Sequence, residues 1–317
     1  MATEPTTAAR RSAPITSIQP GGGLGFTLES LWARGRRACL RRFWPGYSAR
    51  MLSLRQGECP ACPHDPLDPR DLKLVRNVCG YHFGPEQDPF ARPGWLPLAR
   101  PGHAEILLCT VLVAGLATSA GLAAWWVNPL FWVPVGLLLA LWLFVLAFFR
   151  DPERAIPADP DLLVSPADGT ITQVEEVADP DYPDGRALRV SIFLSVFNVH
   201  VNRVPRPGQV QAITYYPGRF LDARTASCAQ ENEMLVLDLL DRQTGQLIRT
   251  KQIAGAIARR IVCWLRPGEE VAAGQRYGMI KFGSRTDVLV PPGAVAEVLV
   301  RVGDKVHGGS QPLLRLR

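Results

Sequence analysis

From Ile106 to Phe149 the chain runs for 44 residues without a charged side chain. A helix crosses a bilayer with about 20 apolar residues, so this stretch holds two crossings. They are "ILLCTVLVAGLATSAGLAAWW" (106–126) and "LFWVPVGLLLALWLFVLAFF" (130–149), separated only by "VNP". Asn128 and Pro129 are turn residues, and the expected form is a tight helical hairpin with both ends on one side of a membrane. A buried helix pair in a soluble protein is the competing reading, and the length and lack of charge weigh against it. The run is also too long for the apolar core of a secretory leader and begins too far into the chain.

Arginines flank the hairpin on both sides: Arg92 and Arg100 before it, Arg150 and Arg154 after it. The positive-inside tendency puts both flanks in the cytoplasm, at the cell (inner) membrane. Trp125, Trp126 and Trp132 crowd the tip, where an aromatic belt at the far interface belongs. The seven cysteines form no disulfide-like framework, as expected where thiols stay reduced. The net charge of +6 suits anionic partners. With the hairpin present, the expected partner is the bilayer and not nucleic acid.

Residues 1–58 read as a basic, partly disordered segment rich in Pro, Gly, Ser and Thr at its start. "PGGGLGF" is no phosphate loop, since no strand precedes it and no P-loop lysine follows. "LWARGRRACLRRFWPGYSARMLSLR" is either a solvated face or a segment in contact with anionic lipid. Residues 59–100 read as a possible small zinc module. Cys59, Cys62, Cys79 and His82 form C-x2-C-x16-C-x2-H, two knuckles of two ligands each. Reduced thiols in a loop are the plain alternative, and His64 is a spare candidate ligand.

After the hairpin (106–149) the pattern changes. Residues 150–317 carry short β-branched runs bounded by Pro and Gly: "GTITQVEEV", "ALRVSIFLSV", "QVQAITYY", "NEMLVLDLL", "IVCWL", "DVLV", "AEVLVRV". The expected fold is mainly β, a barrel or sandwich-type domain behind a two-helix transmembrane hairpin. A faint repeat, G-x-[IV]-x-x-V at Gly169 and Gly293, is similar to lipoyl and biotinyl carrier modules. Neither Lys281 nor Lys305 sits in a convincing carrier setting.

Three polar residues stand in otherwise apolar contexts. Asp168 lies in "VSPADGTI", His200 in "SIFLSVFNVHVNRVP", and Ser284 in "YGMIKFGSRTDV". Singly, Asp168 reads as a turn residue, His200 as a satisfied core histidine, and Gly283-Ser284 as a turn. Together they are an acid, a base and a nucleophile, a set defined by geometry and not by order in the chain.

The runs at 148–171, 193–210 and 254–291 closely resemble phosphatidylserine decarboxylases, most of all the short form. The resemblance covers about 106–317. It implies that the chain cuts itself between Gly283 and Ser284: the Ser284 hydroxyl attacks the Gly283 carbonyl, His200 takes the proton, and Asp168 supports His200. Elimination from the resulting ester leaves a pyruvoyl group at residue 284, whose ketone forms a Schiff base with the substrate amine and accepts electrons as CO2 departs. His200 is the implied proton donor, and no external cofactor is needed. The implied partners are phosphatidylserine, the membrane, and the chain's own large and small pieces.

Two residues depart from the family pattern. Longer members have a second histidine where this chain has Arg203, which is therefore a candidate for binding a phosphate or carboxylate, or a plain ion-pair partner. Met234 stands where a basic residue is expected. The competing functions are decarboxylation of another serine-headgroup lipid, and a non-enzymatic membrane adaptor with a carrier-like β module.

Overall fold

The computed structural model describes residues 11–317 except 60–61, 89, 91–95, 226–227, 257–259 and 282. Arg92 and Phe282 therefore lie outside the described residues. The described part of the basic N-terminal segment, expected to be partly disordered, is helical over most of residues 24–54. Helix α1 (Leu24–Phe43) and α2 (Pro45–Leu54) precede a short α3 (Pro69–Val75). Arginines hold them together: Arg36 pairs with Asp68 and Asp71, and Arg37 with Asp71. Asp68 also caps α3, in a reciprocal box with Asp71.

The hairpin follows as α4 (His103–Trp126) and α5 (Trp132–Phe148). Both are long and apolar enough to cross a membrane, and almost none of either is buried in protein. The Asn128 side chain accepts a hydrogen bond from the Leu130 N–H and caps the turn. Trp142 Nε1 donates to Thr110 Oγ1 at 2.9 Å, linking the two helices. Their bases meet at one point. Ala99 N–H donates to the Phe149 carbonyl at 2.7 Å. A Cβ on Gly102 would come within 2.0 Å of the Phe149 ring, so only glycine lets the helix bases approach this closely.

The strands are β1 (Leu162–Val164), β2 (Gly169–Ala178), β3 (Arg186–Leu194), β4 (Val201–Arg203), β5 (Gly208–Tyr216), β6 (Met234–Asp241) and β7 (Leu247–Ala254). They continue as β8 (Arg260–Cys263), β9 (Glu270–Val271), β10 (Arg276–Lys281), β11 (Ser284–Val290), β12 (Val295–Val298), β13 (Lys305–Val306) and β14 (Pro312–Leu316). The mainly β expectation holds. An eight-stranded antiparallel sheet runs β13-β2-β3-β11-β7-β6-β5-β9, and two three-stranded sheets, β4-β10-β8 and β1-β14-β12, pack with it. The main core includes Ile192, Leu194, Leu235, Leu237, Ile280 and Val288, all fully buried.

The pieces are joined by substantial packing. Phe148 and Phe149 at the base of α5 share a buried cluster with Ile18, Val199, Val201, Val262, Trp264 and Met279. Lys281 at the end of β10 bonds Glu105 in the first turn of α4 at 2.5 Å. Arg76, just after α3, reaches the Trp264 carbonyl and Glu269. The N-terminal residues, the hairpin and the β domain are thus braced against one another around the β4-β10-β8 sheet.

Candidate active site

Strand β11 lies between β3 and β7, and its first residue, Ser284, faces Leu194 on one side and Ala254 on the other. These are the last residues of their strands, so Ser284 sits where two neighbours leave the sheet. The loop after β3 returns His200. The loop after β7 begins with Gly255.

Both polar groups of Gly283 are held. Its N–H donates to His200 Nε2 at 3.2 Å, and its carbonyl accepts from the Gly255 N–H at 3.2 Å. Gly283 has φ +72°, a left-handed conformation that glycine takes without steric cost. The stretch expected as a turn is therefore a left-handed glycine followed at once by a central strand.

Strand β11 is buried throughout, and its other polar side chains are paired. Arg285 bonds Asp287 and Ser191. Thr286 accepts from Asn202, which in turn accepts from Gln252. Ser284 Oγ is fully buried and makes no hydrogen bond. A buried hydroxyl left unbonded costs free energy and calls for a reason. A free hydroxyl beside a peptide bond whose carbonyl already accepts a hydrogen bond is suited to attack that bond. The residues thus fit the generation of a pyruvoyl group at this position.

His200 is fully enclosed. Its Nδ1 lies 2.9 Å from the Asn198 carbonyl. With Nε2 accepting from Gly283, this makes Nδ1 the protonated nitrogen of a neutral ring. Burial pushes its pKa down to about 4, the nearby Arg150 acting in the same direction. The Phe148 ring covers it at 4.4 Å. The loop itself is stiffened by Asn198, whose Oδ1 accepts from the Ser195 N–H and hydroxyl.

Asp168 was expected to support His200. Its carboxylate instead meets Arg154 at 2.7 Å, the Gly308 N–H at 2.8 Å and His307 Nδ1 at 3.4 Å. Among the described residues the contact that orients His200 is the Asn198 carbonyl. Asp168 reaches the site only at one remove: the Pro166 carbonyl, two residues before it, accepts from the Arg203 N–H on the strand that continues from His200.

Arg203, a candidate for headgroup binding, is turned into the protein. It is buried and donates to the Gly274 carbonyl, Asp151 and the Pro152 carbonyl, bracing the segment that leaves the hairpin. Met234 fills an apolar cluster with Cys228, Val236 and Ile253, where a basic side chain would be buried without water. Its neighbour Glu233 is buried, and desolvation pushes its carboxyl up, opposed by Arg260.

The loop that carries His200 reaches the surface beside the hairpin. Phe197, on the loop that carries His200, is 72% exposed and packs edge-on against Phe144 of α5 at 6.1 Å. Arg150 donates to the Phe197 carbonyl at 2.6 Å.

The phosphatidylserine decarboxylase family model matches residues 141–313. The chain belongs to the phosphatidylserine decarboxylase family. Among curated relatives, the phosphatidylserine decarboxylase proenzyme of Rhodopirellula baltica is 42% identical over 245 residues, 77% of this chain and 98% of that protein. The proenzyme of Ralstonia pickettii is 45% identical over 216 residues, 68% of this chain and 90% of that one. That of Desulfotalea psychrophila is 48% identical over 166 residues, 52% of this chain and 76% of its own. Family membership decides against the non-enzymatic adaptor. The family model begins inside α5, so α1, α2, α3 and the thiol motif stand outside it.

Three contributors to the site were not read from the sequence: the Asn198 carbonyl, the Gly255 N–H and the Phe148 ring. The first two act through backbone groups, which every residue carries. Phe148 was read as part of a membrane span and of the run at 148–171 that carries the resemblance, with no role in the site.

Proposed function

We propose that this chain decarboxylates phosphatidylserine to phosphatidylethanolamine at a membrane surface, using a pyruvoyl group made from Ser284. The observation that carries this reading is the setting of Gly283 and Ser284: the Gly283 carbonyl bonded by the Gly255 N–H, the Gly283 N–H on His200, and the unbonded, buried Ser284 hydroxyl beside them.

Self-cleavage starts when Ser284 Oγ adds to the Gly283 carbonyl carbon. The electron pair moves to the carbonyl oxygen, where the Gly255 N–H stabilises it. His200 Nε2 releases the Gly283 N–H, takes the hydroxyl proton, and passes it to the Ser284 nitrogen as the C–N bond breaks. An ester between Gly283 and Oγ remains. Loss of the Ser284 Cα proton then expels Gly283 as a carboxylate, and water displaces ammonia from the unsaturated residue to leave a ketone. Asp168 is a positioning residue in this scheme, fixing Arg154 and the loop at His307 and Gly308.

The pyruvoyl group, once formed, supplies an electron sink for the bond to the departing carboxylate. His200 would take up the proton that the substrate ammonium gives up on reaction and return it to the carbon that CO2 leaves. Phe148 and the enclosed ring of His200 keep water from that carbon. Phe197 and the base of the hairpin hold the site at headgroup depth, where substrate arrives by diffusion in the bilayer. The arginine flanks support a cytoplasmic position for the catalytic domain. Structural zinc at the N-terminal thiols is no part of this chemistry and stands on separate observations.

The test is conversion of phosphatidylserine in mixed vesicles, followed as released CO2 and as phosphatidylethanolamine in lipid extracts. Wild-type protein should produce both in equal amounts, and Ser284→Ala neither. Turnover by Ser284→Ala would overturn the proposal.

A further inference from the structure

Outside the decarboxylase domain, three thiols converge. The Sγ atoms of Cys59, Cys62 and Cys79 all lie within 4.8 Å of one another, and those of Cys62 and Cys79 are 3.5 Å apart. Sequence separation does not bring them together; the local chain path does. The Cys62 N–H donates to the Cys59 carbonyl, closing the first knuckle. A two-way backbone bridge between Gln56 and His82 lays the approach to Cys59 against the exit from Cys79. Gly57 and Gly80 make this crossing possible: a Cβ on Gly57 would stand 2.4 Å from the Gly80 carbonyl oxygen, and one on Gly80 would stand 2.2 Å from that of Glu58.

Three sulfurs within 4.8 Å of one another, once ionised, repel one another unless a cation lies between them. Such a set suits a borderline-soft divalent ion that takes four ligands.

We propose that Cys59, Cys62 and Cys79 bind a zinc-class ion as thiolates, with His82 turning in as the fourth ligand. His82 is not within the thiol group as the side chain now stands; its Nδ1 points at the Gly80 carbonyl, 3.5 Å away. It is the partner that the C-x2-H spacing supplies, and rotation about its side-chain bonds is the movement required. The ion would clamp the loop between α2 and α3. Through Cys79 it would tie that loop to the segment after α3, which begins with Arg76 and grips the Trp264 carbonyl and Glu269 on the catalytic domain. The site is therefore structural, holding the N-terminal helices in their seat.

The experiment uses the full chain in detergent, purified under reducing conditions without chelator, incubated with equimolar Zn2+ and desalted. Elemental analysis should find about one zinc per chain. Replacement of zinc by Co2+ should give thiolate-to-cobalt charge-transfer absorption and intense tetrahedral d–d bands, a readout on the wild-type protein that needs no variant. Cys79→Ser should lose the ion, His82→Ala should retain less of it, and Cys39→Ser, whose thiol is exposed and remote in sequence from the knuckles, should keep it. No zinc in the reduced wild type would overturn the proposal. So would full stoichiometry in Cys79→Ser, or a Cys62–Cys79 disulfide in the protein as isolated. Unchanged retention and an unchanged cobalt spectrum in His82→Ala would overturn the fourth ligand.

Discussion

The ring of Phe148, the last residue of the second apolar helix, lies 4.4 Å from the ring of His200. The hairpin thus supplies one wall of the candidate active site. This contact contributes to the burial that depresses the histidine pKa to about 4. In the uncleaved chain His200 is consequently a neutral base at any physiological pH.

Self-cleavage should therefore hold a steady rate from neutral pH down to about pH 5 and fall only as pH drops through about 4, where Nε2 becomes protonated. Phe148→Ala opens the ring to water and moves its pKa up toward the ordinary histidine value of about 6.5. The acid limb of the rate profile should move up with it. Gel-resolved cleavage time courses across pH check this. The same limb in both proteins would show that another group is the base.

The Gly255 N–H should carry part of the cleavage barrier. A Cβ at this position would sit 2.8 Å from the Gly283 carbonyl oxygen and 3.2 Å from the Ala223 Cβ, displacing the donor from the oxygen it serves. Loss of one such donor typically costs about 10²–10³-fold in rate. Gly255→Ala should accumulate uncut chain with a normal far-ultraviolet dichroism spectrum. Cleavage at the wild-type rate would remove Gly255 from the mechanism.

Asp168→Asn should slow cleavage through loss of its grip on Arg154 and the 307–308 loop. Arg154→Gln should then slow it in the same direction, with both proteins keeping the wild-type pH profile. If Asp168→Asn stops cleavage while Arg154→Gln and His307→Ala cut normally, Asp168 acts on His200 directly and the positioning role fails.

Phe197 should matter only where there is a bilayer. Its exposed ring, packed on Phe144, is the part of the catalytic loop best placed to enter lipid. Phe197→Ser should lower turnover on vesicles several-fold and leave turnover on detergent-dispersed substrate near wild type. Equal losses on both would mean that the ring supports the loop and not membrane contact.

What the sequence made legible followed from strong, local signals. The forty-four uncharged residues form two apolar helices long enough to cross a membrane, and the β-branched runs bounded by Pro and Gly form strands, β2, β3, β5 and β6 among them. Strand β7 was not read because "LIRTKQIA" puts Arg249 and Lys251 into it. Arg249 is buried there because Asp179, Asp181 and Asp238 surround it, and partners so far apart in sequence leave no periodic trace. Ser284 and His200 stood out as polar residues in apolar runs. The support of His200 by Asp168 was implied by the resemblance; in the structure the Asp168 carboxylate meets Arg154, Gly308 and His307, and the Asn198 carbonyl meets the imidazole. Arg203 looked available because a sequence does not show that Asp151, Pro152 and Gly274 occupy it. The separation of a β domain from everything before residue 150 also looked clean, since the composition changes there. The packing of Ile18, Phe148 and Phe149 against Val199 and Val201 crosses that boundary, so removing residues 1–149 should uncover His200 as well as release the domain from the membrane.

Intact mass spectrometry of the purified full-length chain tests the central claim most directly. The account predicts two polypeptides: one ending at Gly283, and one of 34 residues starting at position 284 with a pyruvoyl group in place of the serine amine and resisting Edman degradation. A fully active preparation that contains only the uncut 317-residue chain would contradict it.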